Sequence, residues 1–261
     1  MTAEIELETD DLPPVTVSEY EGVRYLHLGS LWVQGAMRIR KPQVVELDYV
    51  QRMLAPLLWR APEAWGQGRA VQLGLGAAAL TRFTAQQLRM ATTAVEINPE
   101  VIGACAQYFH LPREAELVRG DAADWLATAD PGSVALLQVD LYDHEAAAPV
   151  LDSAAFYAAC RAVLDEDGGL MAVNLFGRDS SFEQSLAHIA QAFGAAQVWG
   201  LRPTREGNTV VVAGRGVGLP ARDELLRRAG AVEQRFGALG LAGRKWPRML
   251  RPVLAPTDVD G

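Results

Sequence analysis

Two carboxylates follow directly on a run of apolar residues in the segment LLQVDLYDHE, residues 136–145. Asp140 ends the run, and Asp143 comes three positions later. A carboxylate can bind a cationic group and accept a proton from it. The spacing therefore allows two interpretations: a strand that leaves the core for a solvated loop, or a site that handles a cation.

Glycines end an earlier apolar segment, within VQLGLGAAALTRF, residues 71–83. Gly74 and Gly76 would let the backbone of this turn approach a ligand closely. The pattern is not a complete G-x-G-x-x-G motif, because Ala79 stands where the third glycine would be. Taken alone, the turn is also compatible with simple packing of a strand against a helix, although this interpretation is the less favoured one.

Two more acidic residues follow the next two strand-like segments. Glu96 is the last residue but one of TTAVEI, twenty positions after Gly76, where an acidic side chain can accept hydrogen bonds from both hydroxyls of a ribose. Asp121 follows AELVRG, where it can accept a hydrogen bond from the amine of an adenine or cap the next helix. The glycine turn and Glu96 together indicate a nucleoside ligand.

Alternating strand-like and helix-like segments must position these residues. From Arg69 onward, seven apolar strand-like segments are separated mostly by amphipathic helical ones, which predicts a mainly parallel sheet covered on both faces. The last two, AQVWGLR and NTVVVAG, have no helix between them and predict an antiparallel final strand. In open α/β sheets ligands bind at the carboxyl ends of the strands, and all of these features fall there.

The remaining segments predict a chain of three parts. Residues 1–60 contain the short strands VRYLHL and LWVQGAMRI, followed by a helical pattern over 44–60 that Pro56 kinks or stops. Residues 61–216 form the nucleoside-binding domain. Residues 217–261 are a basic tail with one more surface helix.

Composition and charge disfavour several functional classes for this protein. The chain has 261 residues, 49% of them hydrophobic, and a formal charge of −8, which disfavours a general nucleic-acid-binding surface. No apolar run is long enough to span a bilayer, and the acidic start is unlike a signal peptide. Cys105 and Cys160 lie in apolar helical patterns and are expected to be buried thiols, and the four histidines lack metal-ligand spacing. We expect a cytoplasmic protein with no metal and no membrane or nucleic-acid partner.

The ordered series of motifs resembles the spermidine synthase family, the polyamine aminopropyltransferases, from about Leu26 to Gly214. The segments that carry the resemblance are LHLGSLWVQGAMRI, ELDYVQRMLA, LGLGA, AVEINPEVI, GDAADWL, QVDLYD and SAAFYAACRAVLDEDGGLMAVN. The resemblance implies an α/β, Rossmann-like class I methyltransferase fold. Its mostly parallel seven-stranded sheet would have an antiparallel last strand and follow a small N-terminal β-rich domain. It also implies a homodimer.

The function implied by the resemblance is transfer of an aminopropyl group from decarboxylated S-adenosylmethionine to an amine such as putrescine. The implied roles are ribose binding by Glu96, adenine binding by Asp121, nucleoside contact by Gly74 and Gly76, proton acceptance by Asp140, amine anchoring by Asp143, and substrate contact by Gln34, Tyr49 and Tyr142.

The chain departs from the family pattern at three places. The family usually continues its glycine turn with an aspartate that contacts the donor's aminopropyl group, and this chain has Ala77. His144 replaces a common proline, and Asp48-Tyr49-Val50-Gln51 replaces the usual Tyr-His/Gln-Glu. Two alternatives stay open: a methyltransferase that uses S-adenosylmethionine itself, and a non-catalytic nucleoside-binding relative. An NAD dehydrogenase is disfavoured, because the glycine pattern is incomplete.

Overall fold

The computed structural model describes residues 12–141, 151–176 and 180–253. Two of the site residues predicted from sequence, Tyr142 and Asp143, lie outside these ranges. So does His144.

A small antiparallel sheet opens the described chain. Its strands are β1 (Val15–Tyr20), β2 (Val23–Leu28) and β3 (Val33–Arg38), paired in the order β1-β2-β3. The β1–β2 turn places both Glu21 and Gly22 at positive φ, as tight hairpins require. The prediction of a strand-rich N-terminal segment is confirmed.

The second sheet has eight strands in the order β11-β9-β10-β8-β7-β4-β5-β6. Their bounds are β4 (Arg69–Leu73), β5 (Ala91–Glu96), β6 (Glu116–Arg119), β7 (Leu136–Val139), β8 (Gly169–Phe176), β9 (Val198–Leu201), β10 (Asn208–Arg215) and β11 (Leu250–Pro252). Strands β4 to β8 are parallel, and β10 runs antiparallel to both β8 and β9. The seven predicted strands and the antiparallel last one are confirmed, and β11 is an eighth strand that the sequence did not reveal.

Seven α-helices connect or cover the sheets. They are α1 (Asp48–Arg52), α2 (Ala79–Arg82), α3 (Pro99–Tyr108), α4 (Ala122–Thr128), α5 (Ala154–Val163), α6 (Ser180–Phe193) and α7 (Arg222–Phe236), all within the described ranges. A π-helical turn (Phe83–Leu88) continues α2. The 3₁₀ turns are Ala55–Leu58, Pro62–Ala64, Ala195–Gln197, Gly237–Leu239 and Gly243–Arg248. The described helices include none with the length and apolarity needed to cross a bilayer.

The helical pattern over residues 44–60 is shorter in the structure than predicted. Helix α1 ends at Arg52, and Pro56 lies in the separate 3₁₀ turn. Proline lacks the N–H that a continuing α-helix needs, so the chain tightens here instead. Ser153 caps α5 as predicted, because its Oγ accepts a 3.0 Å hydrogen bond from the Phe156 N–H.

The large sheet is packed on both faces because side chains alternate along its strands. On β8, Leu170 and Ala172 face one hydrophobic cluster, and Met171 and Val173 face the other. The two predicted buried thiols, Cys105 and Cys160, are buried.

Helix α7 was predicted to be a surface helix, but one of its faces is buried in the core. Its Leu225, Ala229, Val232 and Phe236 are buried along one face. The Phe236 ring lies 5.0 Å from that of Phe83, centre to centre. The segment after α7 then returns to the sheet as β11, paired with β9. The C-terminal tail therefore completes both a core face and a sheet edge.

Candidate active site

The glycine turn after β4 lies directly against the end of β7. Gly74 adopts φ +90°, and a Cβ at this position would sit 2.3 Å from the carbonyl oxygen of Asp140. Side chains cannot be accommodated at that distance, so glycine is required both by conformation and by space. The amide of Asp140 donates a 2.9 Å hydrogen bond to the Leu73 carbonyl. These contacts fix the backbone of Asp140 beside the turn.

Gly76 joins the turn to the small N-terminal sheet. A Cβ there would lie 3.3 Å from the carbonyl oxygen of Gln34 on β3, so the two backbones run close together. The Gly76 carbonyl accepts a 3.0 Å hydrogen bond from the thiol of Cys105. Burial raises the pKa of Cys105 to about 12, which keeps this thiol protonated as a donor.

The carboxylate of Glu96 is oriented by the backbone on either side of it. One oxygen accepts a 3.0 Å hydrogen bond from the Leu75 N–H in the glycine turn, and the other accepts one of 2.9 Å from the Asn98 N–H. Burial raises the pKa of Glu96, while these backbone hydrogen bonds act in the opposite direction. Glu96 is thus a hydrogen-bond acceptor of fixed orientation at the end of β5, next to the glycines.

Asp121 caps helix α4. Its Oδ1 accepts hydrogen bonds of 2.7 Å from the Ala123 N–H and 3.3 Å from the Asp124 N–H. The capping interpretation, one of two that the sequence allowed, is confirmed. Asp121 also lines the cavity described next, and its binding of an adenine stays a prediction.

A first cavity opens at the carboxyl edge of the sheet and contains six of the predicted site residues. Those six are Gln34, Gly74, Gly76, Glu96, Asp121 and Asp140. Apolar side chains complete its wall, namely Leu26, Leu28, Val95, Ile97, Val101, Ala122, Leu141 and Leu151. A largely apolar cavity whose wall includes oriented carboxylates suits a flat, hydroxyl-bearing ligand.

A second cavity, of about 530 Å³, adjoins the first. Its wall combines aromatic rings (Tyr25, Trp32, Tyr49 and Phe176), carboxylates (Glu46, Asp48, Asp140 and Glu206) and amides (Gln34, Asn174 and Asn208). Asp140 and Gln34 line both cavities, so the two meet at these side chains. Carboxylates and aromatic faces both attract cations.

Asp140 lies where the two cavities meet, and two hydrogen bonds orient its carboxylate. Its Oδ1 accepts a 2.9 Å hydrogen bond from the side-chain amide of Asn174, and the hydroxyl of Tyr49 also donates to the carboxylate. Burial raises the pKa of Asp140, and the bonds from Asn174 and Tyr49 lower it in part. A carboxylate with a raised pKa is a better proton acceptor than a solvated one.

Sequence reasoning missed several side chains of the second cavity. Asn174 interrupts the apolar strand β8, and a lone amide in a buried strand is a signal that was available. Asn208 begins β10 and donates a 3.2 Å hydrogen bond to the Asn174 oxygen. Glu206 and Trp32 carry no comparable local signal. The described residues include no group of three or more His, Cys, Asp or Glu arranged to hold a metal ion.

The alanine that departs from the family pattern is packed into the structure. Ala77 is buried, and a Cβ on Gly35 would lie 2.5 Å from the Ala77 Cβ. A carboxylate at position 77 would have to enter this tight contact between β3 and the glycine turn, where burying a charge is costly. The local packing therefore matches alanine.

Comparison with known proteins identifies similar sequences and structures. A polyamine aminopropyltransferase from Chromobacterium violaceum is 31% identical over 231 residues, which cover 87% of this chain and 86% of that protein. No family model matches the chain.

Two solved structures share its architecture. A probable spermidine synthase from Corynebacterium glutamicum superposes with a TM-score of 0.69 at 18% identity, over 85% of this chain and 83% of that one. Human methyltransferase-like protein 13, solved with SAH, has a TM-score of 0.62 at 21% identity, over 82% of this chain and 98% of that one. At these identities the structures establish the class I methyltransferase fold.

Proposed function

The chain belongs to the polyamine aminopropyltransferase family, and from this we propose that it transfers an aminopropyl group from decarboxylated S-adenosylmethionine to a polyamine such as putrescine. The observation that carries the proposal is the position of Asp140, which lines both the apolar first cavity and the acidic second cavity. A transferase needs its donor and acceptor to meet at one reacting point.

In the first cavity, the donor's nucleoside would be held at the carboxyl edge of the sheet. Glu96 would accept hydrogen bonds from the two ribose hydroxyls, and Asp121, which lines the same cavity, would accept one from the adenine amine. Gly74 and Gly76 line the same cavity, where their backbone would contact the nucleoside. The donor's sulfonium would then point towards Asp140.

In the second cavity, an acceptor amine would arrive as an ammonium, because alkylamines have a pKa near ~10. Asp140 binds the ammonium and accepts one proton, which frees the nitrogen lone pair. The nitrogen attacks the aminopropyl methylene carbon next to sulfur, a C–N bond forms, and the C–S bond breaks. The electron pair of that bond stays on sulfur, which leaves as the neutral thioether methylthioadenosine.

The donor's aminopropyl group has no carboxylate partner at position 77, which is an alanine. Because position 77 lacks a carboxylate, the aminopropyl ammonium of the donor must be bound by other groups at the junction. Gln34 lines both cavities, and its buried side-chain nitrogen has no hydrogen-bond partner among the described residues, so it can donate a hydrogen bond to an acceptor atom of a ligand, although not to the ammonium itself. We propose Gln34 and Tyr49 as substrate contacts on this basis.

The test is incubation of the purified protein with decarboxylated or intact S-adenosylmethionine and a panel of amines, followed by mass analysis. We expect an amine that gains one aminopropyl unit, with release of methylthioadenosine. Gain of one methyl unit from the intact donor would instead establish a methyltransferase. Nucleoside binding without any product would indicate a non-catalytic relative.

A further inference from the structure

A buried pair of glutamines precedes the site on two neighbouring strands. Gln72 on β4 lies two residues before Gly74, and Gln138 on β7 lies two residues before Asp140. The two glutamines are paired in register, and both side chains are almost fully buried. The Nε2 of Gln72 donates hydrogen bonds of 3.0 Å to the Oε1 of Gln138 and 3.3 Å to the hydroxyl of Thr84. Because burying amides is costly unless they are hydrogen-bonded, these contacts define a polar network inside an otherwise apolar core.

Gln138 extends this network to the end of helix α1. Its Nε2 donates a 3.1 Å hydrogen bond to the carbonyl of Met53, the residue that follows α1. A carbonyl can only accept, so this bond fixes which side of the Gln138 amide faces α1 and leaves the oxygen for Gln72. Both polar atoms of the Gln138 side chain are therefore used. Gln138 joins β7 to α1 by a directional bond.

Helix α1 in turn carries Tyr49, whose hydroxyl hydrogen-bonds to the carboxylate of Asp140. The helix has five residues, too few to be stable without tertiary contacts. The N–H of Met53 donates a 2.9 Å hydrogen bond to the Tyr49 carbonyl. The residue that Gln138 holds is thus bonded directly to the backbone of Tyr49. These contacts close a ring from Asp140 along β7 to Gln138, across to Met53 and Tyr49, and back to Asp140.

A second side chain holds α1 from another direction. Arg52 donates a hydrogen bond to the carbonyl of Arg202, which follows β9. That contact fixes the helix against the end of β9, whereas Gln138 fixes it against the strand that leads to Asp140. Loss of Gln138 should therefore leave the helix in place and loosen the position of Tyr49 relative to Asp140.

We propose that Gln138 is a positioning residue, which holds α1 on β7 so that the Tyr49 hydroxyl stays on the Asp140 carboxylate. A fully hydrogen-bonded buried amide specifies one arrangement of the elements it joins, which apolar contact alone does not. The inference rests on the proposed function for its effect on catalysis. Its effect on the carboxylate of Asp140 can be measured without any reaction.

The test replaces Gln138 by methionine, which is similarly long and unbranched but has no amide. The hydrogen bond from Tyr49 lowers the pKa of Asp140, so loosening that bond lets the pKa rise. On the acidic limb of the pH–rate profile we expect kcat/KM of Gln138→Met to fall up to about tenfold, the size of effect for a weakened hydrogen bond to a charged group. The rate at alkaline pH should change less.

Tyr49→Phe completes a double-mutant cycle. Alone it should move the acidic limb in the same direction as Gln138→Met and by at least as much. In the Tyr49→Phe background, Gln138→Met should cause little further movement, because both substitutions act through one hydrogen bond.

The movement can be assigned to Asp140 because the side chain of Gln138 is uncharged and fully buried. Its hydrogen bonds within the described residues go to Gln72 and Met53, so its replacement leaves the titratable groups around Asp140 in place. The titratable groups of the described residues that line cavities with Asp140 are Tyr25, Glu46, Asp48, Tyr49, Glu96, Asp121 and Glu206.

Thr92→Val is the matched control. Thr92 is buried on β5, and its hydroxyl donates a 3.1 Å hydrogen bond to the hydroxyl of Thr84 in the same network. Strand β5 lies beyond β4 on the side away from β7. We expect this variant to lower thermal stability but leave the acidic limb where it is in the wild type. If Gln138→Met does not fold, the paired variant Gln72→Met/Gln138→Met takes its place, since it leaves no buried amide without a partner.

A titration without turnover separates this inference from the proposed function. Carbon-13 NMR of protein labelled at the aspartate carboxyl carbons follows Asp140, whose signal is identified by its absence from Asp140→Asn. The titration midpoint of Asp140 should rise in Gln138→Met and in Tyr49→Phe. An unchanged midpoint in folded Gln138→Met, or a full additional rise in the Tyr49→Phe background, would overturn the role of Gln138. Absence of aminopropyl transfer by the wild type, with the midpoint still moved by Gln138→Met, would refute the proposed reaction and leave the positioning role standing.

Discussion

The side-chain amide of Asn174 lies 2.9 Å from Oδ1 of Asp140 and donates a hydrogen bond to it. The bond forms at the carboxyl edge of the sheet, between the ends of β7 and β8. Asn174 lies on β8 and Asp140 directly follows the neighbouring parallel strand β7, and pairing of Val139 with Val173 sets their separation. Burial raises the pKa of Asp140, and the bond from Asn174 counteracts part of that rise. Asn174 therefore acts on the proton affinity of Asp140 and on the direction of its carboxylate.

Replacing Asp140 by asparagine removes the proposed proton acceptor. We expect kcat/KM for aminopropyl transfer to fall on the order of 10²- to 10⁴-fold, the range for loss of a general base. Thermal stabilisation by methylthioadenosine should persist, because the nucleoside contacts are unchanged.

The variant should also melt no lower than the wild type near neutral pH. A carboxyl whose folded pKa is raised loses stability as pH rises from its unfolded pKa through its folded one, and asparagine avoids that loss. Wild-type rates in a folded Asp140→Asn protein would remove Asp140 from the mechanism.

Replacing Asn174 by alanine should shift the pH dependence of the reaction. The hydrogen bond from Asn174 lowers the pKa of Asp140, so its loss lets that pKa rise further. Asp140 must be ionised to accept a proton. As pH falls, kcat/KM of the variant should therefore begin to decline at a higher pH than that of the wild type. A pH–rate profile of both proteins measures this; a uniform loss of rate with an unmoved acidic limb would mean that Asn174 is merely structural.

Replacing Glu96 by glutamine should weaken nucleoside binding about tenfold or more, since a glutamine offers one acceptor oxygen where the carboxylate offers two. Wild-type affinity for methylthioadenosine should decline as pH falls through the raised pKa of Glu96, because the protonated form is a poorer acceptor. The variant has no such titration, and its affinity should be flat over the same range. Calorimetry as a function of pH compares the two; a wild-type curve parallel to that of the variant would contradict ribose binding by Glu96.

Gly74→Ala tests the contact between the glycine turn and β7. The new Cβ would lie 2.3 Å from the Asp140 carbonyl at φ +90°, and we expect a loss of at least about 1–3 kcal/mol in unfolding free energy. That corresponds to roughly 2–4 °C of Tm per kcal/mol. Gly103→Ala is the control, because a Cβ on exposed Gly103 in α3 meets nothing within 4 Å and should be neutral or stabilise by about 0.5–1 kcal/mol. Similar melting of the two variants would show that Gly74 is not constrained.

Much of the fold could be predicted from the sequence because its signals are local. Apolar runs of strand length alternate with helical periodicity from β4 to β10, and Ser153 and Pro99 mark helix starts by their own chemistry. Strand β11 and the buried face of α7 were missed. The strand is three residues long, and a helix rich in arginine reads as exposed until its partners Trp65 and Phe83 are known.

The sequence by itself determined that glycines and carboxylates stand at the ends of successive strands, because strand periodicity and residue type are properties of short segments. Only the tertiary structure decided which side chains share a cavity: Gln34, Tyr49, Asn174 and Glu206 line one cavity with Asp140, although they come from segments far apart along the chain. It also decided the raised pKa of Asp140 and Glu96, since burial depends on everything that packs around a group. Long-range packing cannot be read from the spacing of a motif, and for that reason Asn174 and Glu206 could be placed in the second cavity only once the fold was known.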